Sequence, residues 1–212
     1  MSSPAIRRFS PADYLALERA SEFKHEFFDG EMFRMSGGTI EHSQIAANVI
    51  GELHNQLADG PCRVLTSDMR IKLPTGLYNY PDASIVCDQP QFEDGHKDVL
   101  LNPLVIIEVL SPSTEAYDRG KKFRHYQTCS SLREYMLIAQ DRAAVDHFLR
   151  QPTSGQWLLT TFESLNAVVP LPSLEVSLSL GEIYAKVEFP PEEESASAHD
   201  PEARAPADHA RS

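Results

Sequence analysis

The segment from Leu104 to Leu110 constrains the fold most, because it is apolar on both faces yet carries one acid, Glu108. A β-strand places successive side chains on opposite faces, so this pattern predicts a strand covered on both sides. An unpaired carboxylate at that position would cost roughly several kcal/mol or would stay protonated. Glu108 therefore needs a metal ion, a lysine or an open cleft. We interpret it as a functional residue, with a structural salt bridge or a solvent-exposed strand end as the alternatives.

The segments around this strand predict a mixed α/β (α+β) sheet with helices packed against it. Ser10 caps a first helix, a hairpin turns at Asp29-Gly30, and Thr39 caps a longer helix. One apolar stripe marks the longer helix: Ile45, Val49, Leu53 and Leu57. Strands are predicted at 63–73, 82–87, 104–110, 134–139, 143–149, 157–161 and 168–169, and further helices at 117–128 and 180–186. Strands on both sides of single helices are typical of such a sheet.

The length of 212 residues predicts one domain, 1–188, followed by a disordered acidic tail rich in Pro, Ala and Glu, 189–212. After Phe189 the tail has no aromatic or branched aliphatic residue, so it cannot bury enough surface to fold. The formal net charge is −12, of which about −5 lies from Glu188 onward. The acidic remainder argues against a protein that coats nucleic acid electrostatically.

Several classes of protein lack support in the sequence. There is no apolar run of eighteen residues, and the first eight residues resemble no signal peptide, so we expect a cytoplasmic protein without a membrane span. The three cysteines are far apart and odd in number, which argues against a disulfide framework and against a structural zinc site. No P-loop, dinucleotide fingerprint or Gly-x-Ser-x-Gly motif is found.

The candidate site combines two predicted strands with the helix that follows them. Asp82 opens one strand and Glu108 lies on the next, and two carboxylates with water suit Mg²⁺ or Mn²⁺. Asp118, Lys122 and Tyr126 recur at four-residue intervals, so they share one helical face. Asp82 alone also fits simple turn chemistry, and the helical residues alone also fit an exposed ion-pair stripe.

Across roughly residues 8–185 the chain resembles the Uma-type family of candidate endonucleases, within the restriction-endonuclease-like superfamily of PD-(D/E)xK nucleases. The resemblance depends on a small set of segments. These are Glu26-Phe27-Phe28-Asp29-Gly30-Glu31, His42, Tyr80-Pro81-Asp82, Ile107-Glu108-Val109-Leu110-Ser111-Pro112-Ser113, Asp118 with Lys122 and Tyr126, and Glu134-Tyr135. The segment from Glu108 to Ser113, followed by the helical Asp, Lys and Tyr, is its most specific part.

The resemblance implies a restriction-endonuclease-like αβββαβ core with an N-terminal helix-hairpin and extra C-terminal strands. It also implies a Mg²⁺- or Mn²⁺-dependent endonuclease that hydrolyses phosphodiester bonds, with DNA as substrate, and by analogy a homodimer. Asp82 and Glu108 match the catalytic, metal-binding acids. Glu26, on the hairpin, is a further candidate metal ligand or a simple surface acid.

The resemblance departs from the superfamily pattern at one position. That pattern has a lysine two residues after the glutamate, where this chain has Leu110. We expect Lys122 to be the migrated catalytic lysine, with Lys121 as the fallback. Arg119 and Arg124 would add basic charge for phosphate contact.

Three alternatives to a DNA endonuclease stay open at the level of sequence. A nuclease-fold binding protein without catalysis would also explain Leu110. RNA or another phosphate ester would fit the same residues. His42 is expected to be a structural histidine that could also reach the cleft, and Tyr126 is expected to pack or to hydrogen-bond Asp118.

Overall fold

The structure is a computed structural model that describes residues 8–189. Apart from Phe189, the predicted tail lies outside these residues. The helices are α1 Pro11–Ala20, α2 Ile40–Leu57, α3 Glu115–Tyr117, α4 Phe123–Tyr126 and α5 Leu180–Ile183. A π-helical turn, Asp118–Lys122, joins α3 to α4. Within the described range no helix is long and apolar enough to cross a membrane.

The strands form three sheets. They are β1 His25–Phe28, β2 Glu31–Arg34, β3 Arg63–Thr66, β4 Arg70–Lys72, β5 Tyr78–Asn79, β6 Ala83–Val86, β7 Val99–Leu100, β8 Val105–Leu110, β9 Glu134–Ala139, β10 Val145–Arg150, β11 Trp157–Phe162, β12 Val168–Leu171 and β13 Val176–Ser179. The central sheet has the order β11-β10-β9-β8-β6-β3. A second sheet has the order β2-β1-β5-β4-β7, and β12 pairs with β13. Only β8 with β9 and β4 with β7 are parallel among the described strand pairs.

Local sequence signals explain the N-terminal half of the fold. The Ser10 hydroxyl accepts a hydrogen bond from the Asp13 backbone N–H, and the Asp13 carboxylate accepts one from the Ser10 backbone N–H, as in a capping box. Thr39 caps α2 in the predicted way. Asp29 and Gly30 both have positive φ, which the tight turn between β1 and β2 requires. The predicted helix starts and the hairpin are therefore confirmed.

The two faces of the central sheet have different coverings. The apolar stripe of α2 packs on one face against Ile107 and its neighbours at alternate positions of β8. On the other face, Ile106 and Leu110 pack with Phe123 and Tyr126 from the α3–α4 segment. Glu108 lies between Ile106 and Leu110 in the alternation and so points to this second face. The strand is buried on both sides, as its apolar run predicts.

Two predictions from the sequence differ from the structure, one about a strand and one about the cysteines. The expected strand at 63–73 is two strands, because the turn at Ser67–Met69 sends β3 into the central sheet and β4 into the second sheet. The cysteine pattern argues against a disulfide framework, yet the structure contains one disulfide bond, between Cys62 and Cys87. Arg63 pairs with Val86 in the β3–β6 ladder, and this register places the two cysteines opposite each other.

Candidate active site

Asp82 and Glu108 meet at one end of the β6–β8 pair. Ala83 lies opposite Ile107 in this antiparallel pair, and Asp82 directly precedes Ala83 while Glu108 directly follows Ile107. The Val109 backbone N–H donates to Asp82 Oδ2 at 2.8 Å, which fixes the Asp82 carboxylate at the end of its strand. Both acids line one cavity of about 240 Å³.

Lys122 brings its ammonium group to these acids from the π-helical turn. Its Nζ lies 2.8 Å from Glu108 Oε1, 3.2 Å from Asp118 Oδ1 and 3.5 Å from Glu26 Oε1. The side chain is only 6% exposed. Lys121, by contrast, is exposed and lies over the Phe28 ring. Of the two candidate lysines, the structure therefore brings Lys122 into the cavity.

Burial and neighbouring charge set the protonation of this cluster. Burial raises the pKa of Glu108 to about 8, and the charges of Asp118 and Asp82 act in the same direction against the opposing charge of Lys122. Burial by itself lowers the pKa of Lys122, but the carboxylates of Glu108, Asp118 and Glu26 outweigh it and hold this pKa well above its usual range. Lys122 is therefore a permanent cation in a group of acids that repel one another.

Tyr126, on α4, holds Glu108 through a hydrogen bond. Its hydroxyl donates to Glu108 Oε1 at 2.7 Å and accepts a hydrogen bond from the Asn79 amide. The predicted bond from Tyr126 to Asp118 is wrong, because the hydroxyl reaches the strand acid instead. The predicted packing is confirmed, since the Tyr126 ring centroid lies 5.0 Å from that of Tyr135.

His42 lines the cleft, which the sequence left open beside a purely structural role. It lies in the first turn of α2, and its Nε2 is 3.3 Å from Asp82 Oδ2. The hydrogen bond to Asp82 raises the pKa of His42 despite its partial burial. Gly38 leaves room for this ring, because a Cβ at position 38 would lie only 2.8 Å from His42 Nδ1.

Two of the four basic residues predicted to cluster on this helix, Arg119 and Lys122, form ion pairs with acids. Arg119 Nε donates to Glu115 at 2.7 Å, and its Nη1 binds Asp146 on β10. Arg119 does not line the cavity. Arg124 is exposed and is also absent from the cavity wall. Phosphate contact from Arg119, as the sequence suggested, is therefore not what the geometry favours.

Several residues that sequence reasoning did not assign also build the site. Tyr80 accepts from Arg70 Nε and donates to Glu18 Oε1, both at 2.8 Å, and this buried network anchors the segment that leads into Asp82. Tyr117 lies over the cavity with its hydroxyl 3.5 Å from Glu26 Oε2. Tyr80 belongs to the Tyr80-Pro81-Asp82 segment of the family resemblance. Glu18 and Arg70 come from distant segments, and no spacing in the sequence connects them to Tyr80.

The donor set fits a divalent cation that needs few protein ligands. Among residues 8–189 no group of three or more His, Cys, Asp or Glu side chains is arranged as a metal site. Mg²⁺ is commonly held by one or two carboxylates, with water and substrate phosphate as the other ligands. Asp82 and Glu108 supply those hard oxygens in one cleft. Asp118 Oδ1 is a further buried oxygen that accepts no hydrogen bond within the described chain, although it lies beside Lys122.

The same arrangement of strands is found in a solved structure. The crystal structure of a putative nuclease belonging to DUF820 from Anabaena variabilis matches with a TM-score of 0.68. The match covers 82% of this chain and 96% of that chain at 20% identity. A likeness at this identity shows the fold, which is the mixed nuclease-like fold predicted from the sequence.

Sequence comparison gives the relatives. The Synechocystis sp. protein named "Uncharacterized protein slr1290" is 34% identical over 188 residues, which cover 88% of this chain and 97% of that protein. A second Synechocystis protein, sll1609, is 32% identical over 166 residues, or 78% of this chain and 93% of that protein. The family model "Uma2: Putative restriction endonuclease" matches residues 11–182. The chain therefore belongs to the Uma2 family.

Proposed function

We propose that this protein is a Mg²⁺- or Mn²⁺-dependent endonuclease that hydrolyses phosphodiester bonds in DNA. One observation carries the proposal: Asp82, which directly precedes β6, and Glu108 on β8 line one cleft, and Lys122 reaches Glu108 at 2.8 Å inside it. Membership of a family described as restriction endonucleases supports nuclease chemistry. Two acids and a lysine are the groups that a metal-assisted phosphodiester hydrolase needs.

In this proposal Asp82 and Glu108 hold the cation, and Glu26 is the third oxygen donor on the cavity wall. A bound divalent ion would stabilise the negative charge that builds on the scissile phosphate. The protein's part is to keep the two acids oriented. The Val109 backbone N–H does this for Asp82, and the Tyr126 hydroxyl does it for Glu108.

Lys122 is the proposed catalytic cation. Its ammonium is pre-positioned in a site with little water, where a fixed charge stabilises a developing anion more than it would in bulk solvent. Binding of substrate would bring a phosphate oxygen to the same ammonium that now contacts three carboxylates. The nearby Ser111 and Thr114 line the cavity and offer hydroxyl groups to the phosphate.

The test is cleavage of supercoiled plasmid and of single-stranded DNA with Mg²⁺ or Mn²⁺. Asp82→Asn, Glu108→Gln and Lys122→Met should each lower the rate by roughly 10²- to 10³-fold, the usual effect of removing one preorganised electrostatic group. Lys121→Met is the matched control for the lysine, since Lys121 is adjacent and exposed. Asp141→Asn is the control for the acids, because Asp141 is a surface residue that pairs with its neighbour Arg142.

Equal cleavage by wild type and by the Asp82, Glu108 and Lys122 variants would refute the assignment of these residues. DNA binding without any cleavage would favour the alternative of a nuclease-fold binding protein. Cleavage of RNA or of a simple phosphodiester, with DNA left intact, would keep the chemistry and change the substrate.

We also propose a homodimer in the cytoplasm. The proposal follows the analogy with restriction nucleases, in which a dimer supplies two sites that each cut one strand. Light scattering coupled to gel filtration measures the mass directly, and a monomer at micromolar concentration would contradict the proposal. Titration of free thiols in protein purified under conditions that block thiol exchange tests the compartment. Cysteines are kept reduced in most cytoplasmic proteins, whereas the structure has Cys62 bonded to Cys87. Three free thiols in freshly extracted protein would support the cytoplasm, and an intact Cys62–Cys87 bond would contradict it.

A further inference from the structure

Phe33 is a large aromatic side chain that is exposed at the mouth of the candidate active site. It is 49% exposed, and it lines the same cavity as Asp82, Glu108 and Lys122. A half-exposed phenylalanine needs no explanation on an ordinary surface. Its position beside a cluster of buried charges is the unusual feature.

The hairpin register directs Phe33 toward the proposed chemistry. In the antiparallel β1–β2 pair, Phe33 lies directly opposite Glu26, so the two side chains share one face. Glu26 Oε1 is 3.5 Å from Lys122 Nζ. The adjacent pair, Phe27 with Met32, points the other way into the cluster around Tyr14. Phe33 therefore lies on the cavity side of the hairpin.

The depth of the site restricts which nucleic acid can reach it. Glu108 and Lys122 are only 4% and 5% exposed. The segments Phe33–Gly38 and Ser111–Tyr117 both contribute to the lining of the cavity that contains these two side chains. A single strand can turn one phosphate inward, whereas in a duplex each phosphate is held at the rim of a rigid helix whose base faces are covered by stacking. The geometry favours a strand that is unpaired where it enters.

Charge does not supply the affinity for such a strand. The chain is acidic overall, Lys122 is surrounded by carboxylates, and Arg119 is paired with Glu115 and Asp146. Arg34 is an exposed cation of the cavity wall, and it lies over the Phe23 ring, so a single arginine is available at the mouth for phosphate contact. Binding to phosphates alone would therefore be weak and salt-sensitive. Stacking of a base on an aromatic ring is the other common source of affinity for single strands, and it tolerates any base.

We propose that Phe33 is the stacking platform for a nucleobase next to the scissile phosphate, and that the substrate is single-stranded DNA at the site. This inference rests on the proposed nuclease function and names its substrate class. Phe33 contacts the base and takes no part in the chemistry, so its loss should weaken binding and leave the bound reaction intact.

The test measures fluorescence anisotropy of a labelled single-stranded oligonucleotide, its duplex and an abasic version, with Mg²⁺ and the Asp82→Asn background to prevent turnover. Phe33→Ala should raise the Kd for the single strand by roughly tenfold. Phe33→Trp should keep the Kd near that of the parent protein, because the indole ring can also stack, whereas Phe33→Leu should raise the Kd as Phe33→Ala does. The control is Leu158→Ala, because Leu158 is 54% exposed on β11 and does not line the cavity.

A set of abasic sites moved along the strand identifies the stacked base. The strand that lacks this base should bind the parent protein, which retains Phe33, only weakly. Phe33→Ala should not weaken the binding of that strand further. Equal Kd values for the parent and Phe33→Ala on the intact strand would overturn the inference, as would tighter binding of the duplex than of the single strand. The same holds if no oligonucleotide is bound.

Kinetics of the protein with Asp82 intact separate this inference from the proposed function. Phe33→Ala should raise KM about tenfold with kcat nearly unchanged. Cleavage that is insensitive to Phe33 leaves the nuclease function standing and refutes the stacking role. If binding depends on Phe33 but no cleavage is detected, the proposed nuclease activity is refuted and the proposed stacking role of Phe33 stands.

Discussion

Tyr126→Phe is the substitution that tests the hydrogen-bond support of the site most directly. It removes one oxygen atom from a side chain with no exposed surface and leaves the ring in place against Tyr135. The lost hydroxyl donates to Glu108 and accepts from Asn79. Burial and the nearby Glu108 raise the pKa of Tyr126 well above its usual range, so the hydroxyl is a donor at every pH of interest.

The expected cost follows from the two bonds that are broken. A hydrogen bond to a neutral acid contributes about 0.5–1.5 kcal/mol, and a buried group left unpaired adds a desolvation penalty of about 1–3 kcal/mol. Asn79 Oδ1 already has no partner among the described residues, so its amide would have none after the change. Lys122 continues to pair with Glu108, which limits the loss. We expect a free energy of unfolding lower by about 2–3 kcal/mol.

Urea unfolding followed by circular dichroism measures this difference in free energy. In thermal unfolding, the melting temperature of a domain of this size should fall by about 5–10 °C. Tyr117→Phe is the matched control, because its hydroxyl is half-buried and 3.5 Å from Glu26, where a hydrogen bond contributes little. A Tyr126→Phe protein within about 0.5 kcal/mol of wild type, or no more affected than Tyr117→Phe, would refute the reasoning.

Two other predictions concern the framework around the site. Leu53→Ala should lower the free energy of unfolding by about 2–5 kcal/mol, since Leu53 is fully buried between α2 and the central sheet, and denaturant unfolding that shows less than 1 kcal/mol would contradict this packing. Replacement of Cys62 and Cys87 by alanine should cost about 3 kcal/mol under oxidising conditions, because the bond closes a loop of 25 residues. The same replacement should cost far less in reductant, and equal melting temperatures of the wild type with and without reductant would show that the bond does not form.

The elements that the sequence predicts well are those with a strong local signal. Ser10 and Thr39 cap helices through their own side chains, and the buried strand at 105–110 is marked by its apolar run. The division of 63–73 between two sheets was missed, because a β-turn at Ser67–Met69 carries no glycine or proline to mark it. The Cys62–Cys87 bond depends on the register of β3 with β6, which is a long-range property.

The candidate site shows the same division between local and long-range information. Asp82, Glu108 and Lys122 were named from their own segments, and the structure brings them into one cavity. The partners that hold them could not be named. Asn79 reaches Tyr126 across 47 positions of the chain, and Glu18 reaches Tyr80 across 62. Such contacts depend on how two sheets and a helix are stacked, which no spacing within a segment expresses.

The departure at Leu110 has a physical explanation in this packing. Leu110 is 3% exposed and packs with Phe123 and Tyr126, on the same sheet face as Glu108. A lysine there would have to exchange this apolar contact for a second buried charge, which costs several kcal/mol unless an acid compensates it. The π-helical turn offers another route, because it directs Lys122 back over the strand to within 2.8 Å of Glu108. The ammonium then reaches the acid from the helix while position 110 stays in the core, so the broken motif does not by itself argue against catalysis.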